Sequence, residues 1–118
     1  MQYLILIYGD EKQAAKMSEA ERNADFGRWM QYTKDLATAG VMRGGEALQP
    51  IGTATTVRVR NANIRNTDGP FAETKEQLGG FYLIDVPNLD DALAWAAKCP
   101  GSAYGSIEVR PIMEIPKP

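Results

Sequence analysis

The chain has 118 residues, a length that accommodates one domain with a single hydrophobic core. Its hydrophobic fraction of 44% and charged fraction of 24% are typical of globular proteins. The formal net charge is −2 and no basic run occurs, which argues against nucleic-acid binding. The chain contains no histidine, so it lacks the commonest general base near neutral pH and any His–Cys zinc site. We therefore predict no metal and no cofactor.

Two further features bear on location. The apolar run at residues 3–8 is too short to span a membrane and lacks signal-peptide architecture, so we predict no membrane association. The single cysteine, Cys99, excludes an intramolecular disulfide framework and fits a reducing cytoplasm. We expect Cys99 to be a buried, inert thiol. The sequence predicts one domain over residues 1–118 of a cytoplasmic protein.

The first half of the chain predicts a strand, a helix and a loop. Residues 3–8 are apolar without alternation, which is typical of a strand buried on both faces. After a loop, a capping box at Ser18 and Glu21 opens a helix that ends at Gly40. Residues 41–52 contain adjacent glycines and a proline, which predicts a loop anchored in the core by Leu48. The helix stripe expected to pack on the sheet consists of Phe26, Trp29, Met30, Thr33, Leu36 and Ala37.

The second half predicts three strands and a second helix. Residues 53–60 alternate between apolar and polar side chains, and residues 64–67 return as a brief hairpin arm. Residues 80–86 form a second central strand, residues 89–98 a short helix, and residues 106–115 the last strand. The order βαββαβ is the ferredoxin-like arrangement, an α+β sandwich with an antiparallel sheet. Because two helices cover only one face, we expect the other face to pack on a second copy, giving a homodimer.

A dense polar loop precedes the second central strand. It reads Asp68-Gly69-Pro70-Phe71-Ala72-Glu73-Thr74-Lys75-Glu76. The first three residues are turn chemistry, because Asp bonds the following backbone, Gly adopts positive φ and Pro fixes φ. The loop is longer and carries more ionisable groups than a connection between strands requires.

With residues 79–86, Gly79-Gly80-Phe81-Tyr82-Leu83-Ile84-Asp85-Val86, this loop resembles the DGPF branch of the YCII-related family. The similarity continues at residues 3–10, 44–50 and 107–112. The resemblance implies a dimeric α/β-barrel fold. Some YCII-related members are described with a His–Asp active site and as resembling muconolactone-isomerase-type enzymes. The DGPF branch is often encoded beside extracytoplasmic-function sigma factors, which implies a regulatory partner of that kind. A His–Asp dyad cannot form in this chain, which has no histidine.

The polar loop supplies the candidate catalytic residues. Asp68 could be a general acid or base if a cleft raises its pKa, or a turn residue that accepts backbone amides. Glu73 and Lys75 could pair with each other and with Arg110, either to bind a small carboxylate or enolate or to lock the loop to the sheet. Phe71 is an apolar anchor between these charges.

Other candidates flank the same predicted cleft. Arg58, Arg60 and Arg110 on the helix-free face could form an anion pocket or pair with acids, and Arg110 is the better ligand residue. Tyr8 and Glu46 could contact the ligand or anchor loops. The predicted function is binding of a small organic molecule in a cleft at the dimer interface. The alternatives are a cofactor-free acid–base enzyme, isomerase- or lyase-like, and a regulatory partner of a sigma factor.

Overall fold

A computed structural model describes residues 1–116. The strands are β1 (Gln2–Gly9), β2 (Met42–Ala47), β3 (Thr55–Arg60), β4 (Asn63–Asp68), β5 (Gln77–Asp85) and β6 (Ser106–Pro111). The helices are α1 (Glu11–Ala14), α2 (Glu19–Thr38) and α3 (Leu89–Lys98). Single 3-10 turns lie at Ile51–Thr53 and Pro100–Ala103. None of the helices within residues 1–116 is long and apolar enough to cross a membrane.

Four strands form one antiparallel sheet in the order β2-β5-β1-β6. The two central strands are β1 and β5, the apolar segments that the sequence predicts to be central. They pair from Gln2 opposite Asp85 to Gly9 opposite Gln77, with an irregularity between Ile7 and Tyr8. This order is that of the ferredoxin-like arrangement, so the predicted α+β fold class is confirmed.

The second strand of the sheet is not the one that the sequence predicts. Residues 42–47, expected to be loop, form the edge strand β2. The adjacent glycines are read as breakers, yet Gly45 has a structural reason to be there. A Cβ atom at Gly45 would lie 2.8 Å from Cδ1 of Tyr82, so glycine lets this ring lie against β2. The prediction that Leu48 anchors this segment in the core is wrong, since Leu48 lies just beyond the end of the strand and is 48% exposed.

The predicted second strand and hairpin form a separate two-stranded sheet, β3 and β4, which we call the arm (residues 55–68). Its turn at Asn61 and Ala62 has φ values of 51° and 65°, the left-handed conformation of the type I′ hairpin turn. Every arm-strand residue except Thr56 is exposed. Because Arg58 and Arg60 lie in the arm, their predicted position on the helix-free face beside Arg110 is wrong.

Helix α2 begins with the predicted capping box. The Glu21 amide donates to Ser18 Oγ at 3.1 Å, and the Ser18 amide donates to Glu21 Oε1 at 3.4 Å. The helix buries Tyr32 and Leu36 against the sheet. The core around them contains Tyr3, Ile5, Tyr82, Ile84, Val86, Ala92 and Cys99.

Helix α3 spans the residues that the sequence predicts, but the last strand is shorter than predicted. Helix α3 buries Ala92 and Ala96, and its N-cap Asn88 accepts from the Asp91 amide at 2.9 Å. In the predicted last strand, Ile107 and Val109 pack against the core, but β6 ends at Pro111. A short helix, α1, occupies part of the segment predicted to be loop before α2.

The helix-free face of the sheet carries an apolar centre. Register places Leu4 opposite Leu83 and Leu6 opposite Phe81, alternating with the buried residues that face the helices. On β6, Arg110 lies opposite Leu4 and Glu108 opposite Leu6. On β2, Glu46 lies opposite Phe81. This face therefore has apolar central strands and charged outer strands.

Candidate ligand-binding groove

A groove of about 900 Å³ lies on the helix side of the sheet. Helices α1 and α2 form one wall, and β2, β5 and the end of β1 form the other. Small-molecule sites typically enclose roughly 300–1,000 Å³ and are lined mostly by apolar side chains. The large apolar residues that line this groove are Ile7, Met17, Phe26, Trp29, Met30, Met42 and Tyr82. Its size and lining are those of a small-molecule site.

The α2 wall consists of the part of the apolar stripe that the core does not cover. Phe26 and Met30 are 65% and 54% exposed, while Tyr32 and Leu36 on the adjacent stripe are buried. Thr33 lies one turn after Met30 on the same face of α2 and also lines the groove. The expectation that Phe26 and Met30 pack on the sheet is therefore wrong, because the groove separates them from it.

Tyr82 forms part of the strand wall and is fixed in orientation. Its ring packs edge-on against Tyr32, with centroids 5.4 Å apart and an interplanar angle of 81°. The Thr33 hydroxyl donates to the Trp29 carbonyl at 3.0 Å, so Tyr82 donates in the 2.6 Å contact between the two hydroxyls. Burial raises the pKa of Tyr82, which keeps this donor protonated.

A chain of hydrogen bonds crosses one end of the groove. Trp29 Nε1 donates to the Tyr104 hydroxyl at 3.2 Å, and that hydroxyl donates to Asp25 Oδ1 at 3.1 Å. Arg28 pairs with the same carboxylate oxygen at 3.5 Å. Partial desolvation of the hydroxyl and the neighbouring carboxylate raise the pKa of Tyr104, so this hydroxyl is protonated at neutral pH although the side chain is more than half exposed. Gly101 permits the arrangement, since a Cβ there would lie 3.3 Å from the Trp29 ring.

Acidic side chains outnumber basic ones around the groove. Three carboxylates and two guanidinium groups line it on the helix side, Asp10, Glu11, Asp25, Arg22 and Arg28, while Glu46 borders it from β2 with its side chain on the helix-free face. Glu11 also connects the groove to the base of the arm, because its carboxylate accepts from the Ile51 amide at 3.0 Å. The Glu11 amide donates to Gln77 Oε1 at 2.9 Å. These contacts join α1 to the strands on the other side of the groove.

Two of the residues singled out from the sequence lie at the edge of this groove. Tyr8 and Glu46 both line it. The Tyr8 hydroxyl, however, donates to Glu108 Oε1 at 3.5 Å, on the outer strand β6. Both residues thus lie at an edge shared by the groove and the rest of the sheet.

The other candidates lie elsewhere, and a single chain does not bring them together. Asp68 ends the arm strand β4 and is followed by Gly69, whose φ of 99° is the positive value that the sequence predicts. The three loop candidates, Phe71, Glu73 and Lys75, are all exposed, and Phe71 is 78% exposed. Within residues 1–116, no ion pair joins Glu73, Lys75 or Arg110 to an acidic or basic partner. The catalytic and ligand-binding roles of these residues stay predictions.

Cys99 is buried, as the sequence predicts. Burial raises the pKa of its thiol to about 11, so the reactive thiolate is scarce at neutral pH. Among the residues that the structure describes, no cluster of three or more His, Cys, Asp or Glu side chains could hold a metal ion.

Sequence reasoning missed the polar end of the groove. Asp25 and Tyr104 carry no motif, and they come from distant parts of the chain, α2 and the segment before β6. The one sequence feature that indicates the groove is the width of the apolar stripe on α2, because a helix packed on one face of a sheet buries only part of a stripe this wide. Residues 26, 30 and 33 on that stripe are the ones that face the groove.

Comparisons with known proteins agree with the fold. The model of the YCII-related domain family matches residues 1–116. An uncharacterised protein of Rhizobium meliloti (strain 1021) is 38% identical over 114 residues, which is 95% of this chain and 92% of that protein. A solved structure of 5-chloro-2-hydroxyhydroquinone dehydrochlorinase from Burkholderia phenoliruptrix AC1100, complexed with 2,5-dihydroxybenzoquinone, has a TM-score of 0.56 and 13% identity. The match covers 96% of this chain and 94% of the dehydrochlorinase, and it shows a shared fold.

Proposed function

This chain belongs to the YCII-related domain family, and we propose that it binds a small organic molecule in the groove between α2 and the sheet. One observation carries the proposal. Phe26 and Met30 expose more than half of their surface, and they do so into a groove of about 900 Å³ rather than onto a flat surface. Apolar side chains held open around a cavity of this size are typical of ligand sites.

The chemistry of the walls supports the same conclusion. Met17, Met30 and Met42 line the groove, and methionine adapts its shape to different apolar ligands. Trp29 and Tyr82 add aromatic surface whose polar atoms already have hydrogen-bond partners. A flat apolar molecule would therefore bury its rings without leaving these polar groups unpaired. The dehydrochlorinase of the same fold holds a flat quinone, which shows that the fold accommodates such molecules.

A cofactor-free acid–base enzyme is the second candidate, and the Asp25–Tyr104 contact favours it. A carboxylate hydrogen-bonded to a phenol at the end of an apolar groove is suited to accept and return a proton. Asp68 and Glu73, the catalytic candidates of the sequence, lie outside the groove within one chain. The DGPF branch and the sigma-factor link rest on the resemblance of the sequence.

We also propose that the chain forms a homodimer through the helix-free face of the sheet. Leu4, Leu6, Phe81 and Leu83 make the centre of that face apolar without a covering helix. A two-fold axis parallel to the strands would bring β6 over β2 of the second copy. In that arrangement Glu46 lies level with Glu108 of the second copy, because both belong to one row of the sheet, and Arg110 lies two residues further along β6.

The ligand proposal is tested by isothermal titration with two uncharged ring probes, 2-naphthol and 2-methoxynaphthalene. We expect at least one of them to bind with a stoichiometry of one per chain. Met30→Glu places a charge in the apolar wall and should weaken binding at least tenfold, about 1.4 kcal/mol. Ala24→Glu is the matched control, because it adds the same charge on an exposed position of α2 outside the groove.

Two outcomes would overturn the proposal. One is that neither probe binds to the wild-type protein. The other is that Met30→Glu and Ala24→Glu weaken binding equally, which would place the probe outside the groove.

A further inference from the structure

We infer that the ligand of this groove is an uncharged, flat apolar molecule that carries a hydroxyl group, and that Asp25 and Tyr104 accept the hydrogen of that hydroxyl. The inference rests on the proposed function and specifies its ligand class. It depends on which hydrogen-bonding positions are already occupied at the polar end of the groove.

Asp25 keeps an acceptor position free for a ligand. Its Oδ1 atom receives the Tyr104 hydroxyl at 3.1 Å and the Arg28 guanidinium at 3.5 Å. Its Oδ2 atom has only the long 3.4 Å contact from the same hydroxyl. The side chain is 19% exposed and lines the groove, so a ligand can reach it. A carboxylate oxygen accepts about two hydrogen bonds, so Oδ2 has room for a donor from a ligand.

Tyr104 likewise offers an acceptor and no donor. Its single hydrogen is directed to Asp25, and Trp29 Nε1 occupies one of its two lone pairs. One lone pair remains. Because both groups present acceptors, a ligand that brings a hydrogen-bond donor satisfies them. A ligand that brings only acceptors would leave its own polar atom and Asp25 Oδ2 unpaired.

The charge of the groove disfavours an anionic ligand. Apart from Asp25 and Arg28, which pair with each other, the charged side chains on the helix side of the groove are Asp10, Glu11 and Arg22. The excess of negative charge in a partly enclosed site disfavours an anion. An aromatic hydroxyl, with an ordinary pKa of about 10, is uncharged at neutral pH and still a good donor.

The test compares three probes that share one ring system, by isothermal titration at neutral pH. These are 2-naphthol, a donor; 2-methoxynaphthalene, an acceptor only; and 2-naphthoate, an anion. We expect 2-naphthol to bind at least tenfold more tightly than 2-methoxynaphthalene, and 2-naphthoate to bind most weakly. A tenfold ratio corresponds to about 1.4 kcal/mol, the size of one hydrogen bond to a charged group.

Two variants assign the preference to the named residues. Asp25→Ala removes the carboxylate, and Tyr104→Phe removes the hydroxyl from an exposed side chain whose loss leaves the core intact. In both, the preference for 2-naphthol over 2-methoxynaphthalene should fall to about threefold or less, while 2-methoxynaphthalene binds as before. Asp35→Ala is the matched control, because it removes a carboxylate from α2 outside the groove.

The results separate this inference from the function on which it rests. If 2-naphthol and 2-methoxynaphthalene bind equally well, the ligand class is wrong and the groove remains a binding site. If 2-naphthoate binds most tightly, the ligand class is also wrong. If 2-naphthol is preferred in the wild type and in both groove variants, Asp25 and Tyr104 are not the acceptors. If no probe binds, the proposed function fails and this inference fails with it.

Discussion

The groove and the arm both expose large apolar side chains, but they do so in different surroundings. In the groove, Phe26 and Met30 face a concave space that ends at the carboxylate of Asp25. In the arm, Val57, Val59 and Ile64 are exposed on one face of a two-stranded hairpin, and none of the three lines the groove. Both regions therefore expose apolar side chains, and the groove combines them with a concave surface and a polar end.

The two regions also differ in how many buried core residues their helices and strands contain. The groove is built on α2 and β5, which carry buried core residues, whereas almost the whole arm is exposed. The arm extends the protein, whose radius of gyration of 16.5 Å exceeds the ~13.5 Å typical of a chain of this length. Isolated hairpins are marginally stable. The comparison predicts large losses of stability for substitutions in the core on which the groove is built and small losses for substitutions in the arm.

The largest expected effect comes from the core behind the groove. Leu36 on α2 is fully buried, so Leu36→Ala should lower the free energy of unfolding by roughly 2–5 kcal/mol. Met30→Ala, on the same helix, should cost less than about 1 kcal/mol because Met30 is 54% exposed. Chemical denaturation monitored by circular dichroism gives both values. Equal losses in the two variants would mean that Met30 is covered in solution.

A second substitution examines the proposed dimer. Leu6 lies at the apolar centre of the helix-free face, so Leu6→Lys would replace apolar contacts by a charge that has to be desolvated in the interface. We expect the dissociation constant of the dimer to rise roughly a hundredfold, about 2.8 kcal/mol, in analytical ultracentrifugation. Ala24→Lys adds the same charge on an exposed position of α2 and should leave the dimer unchanged. A dimer that survives Leu6→Lys would place the interface on another surface, and the exposed arm would be the next one to test.

Much of the fold was predictable because local sequence signals and packing agree. The capping box at Ser18, the central strands β1 and β5, and the turn at Asn61 all follow from residue chemistry within a few positions. The edge strand β2 was not predictable in this way. From the sequence alone, Gly45 predicts the end of a strand. The glycine is needed there because the ring of Tyr82, on the neighbouring strand, leaves no space for a side chain.

The candidate site was less predictable, for a related reason. The densest motif, residues 68–76, lies in the arm and the exposed loop that follows it. The groove instead joins Asp25 of α2, Tyr82 of β5 and Tyr104 before β6, residues that only the tertiary fold brings together. Tyr8, Glu46 and Arg110 were singled out, and all three lie on or beside the sheet that forms the proposed interface.

A smaller effect is expected from a single hydrogen bond in the groove wall. Tyr82→Phe removes the donor to Thr33 from a largely buried position and should cost about 1 kcal/mol of unfolding free energy. Tyr104→Phe removes an exposed hydroxyl and should change stability by less than about 0.5 kcal/mol. Denaturant midpoints of the two variants at one protein concentration make the comparison. A larger loss for Tyr104→Phe would show that the polar end of the groove, rather than its wall, stabilises the fold.

The smallest expected effect lies in the arm. Val59 is 55% exposed, so Val59→Ala should change the free energy of unfolding by less than about 0.5 kcal/mol. Val109→Ala on β6 is the matched control, because Val109 packs against the core and the same truncation should cost about 1 kcal/mol or more. Both are measured by denaturant unfolding at low and high protein concentration. If Val59→Ala costs as much as Val109→Ala, and does so only at high concentration, then the apolar face of the arm is covered by a second copy. The apolar face of the arm would then be exposed in a single chain but buried in the dimer, and the arm would no longer differ from the core in its sensitivity to truncation.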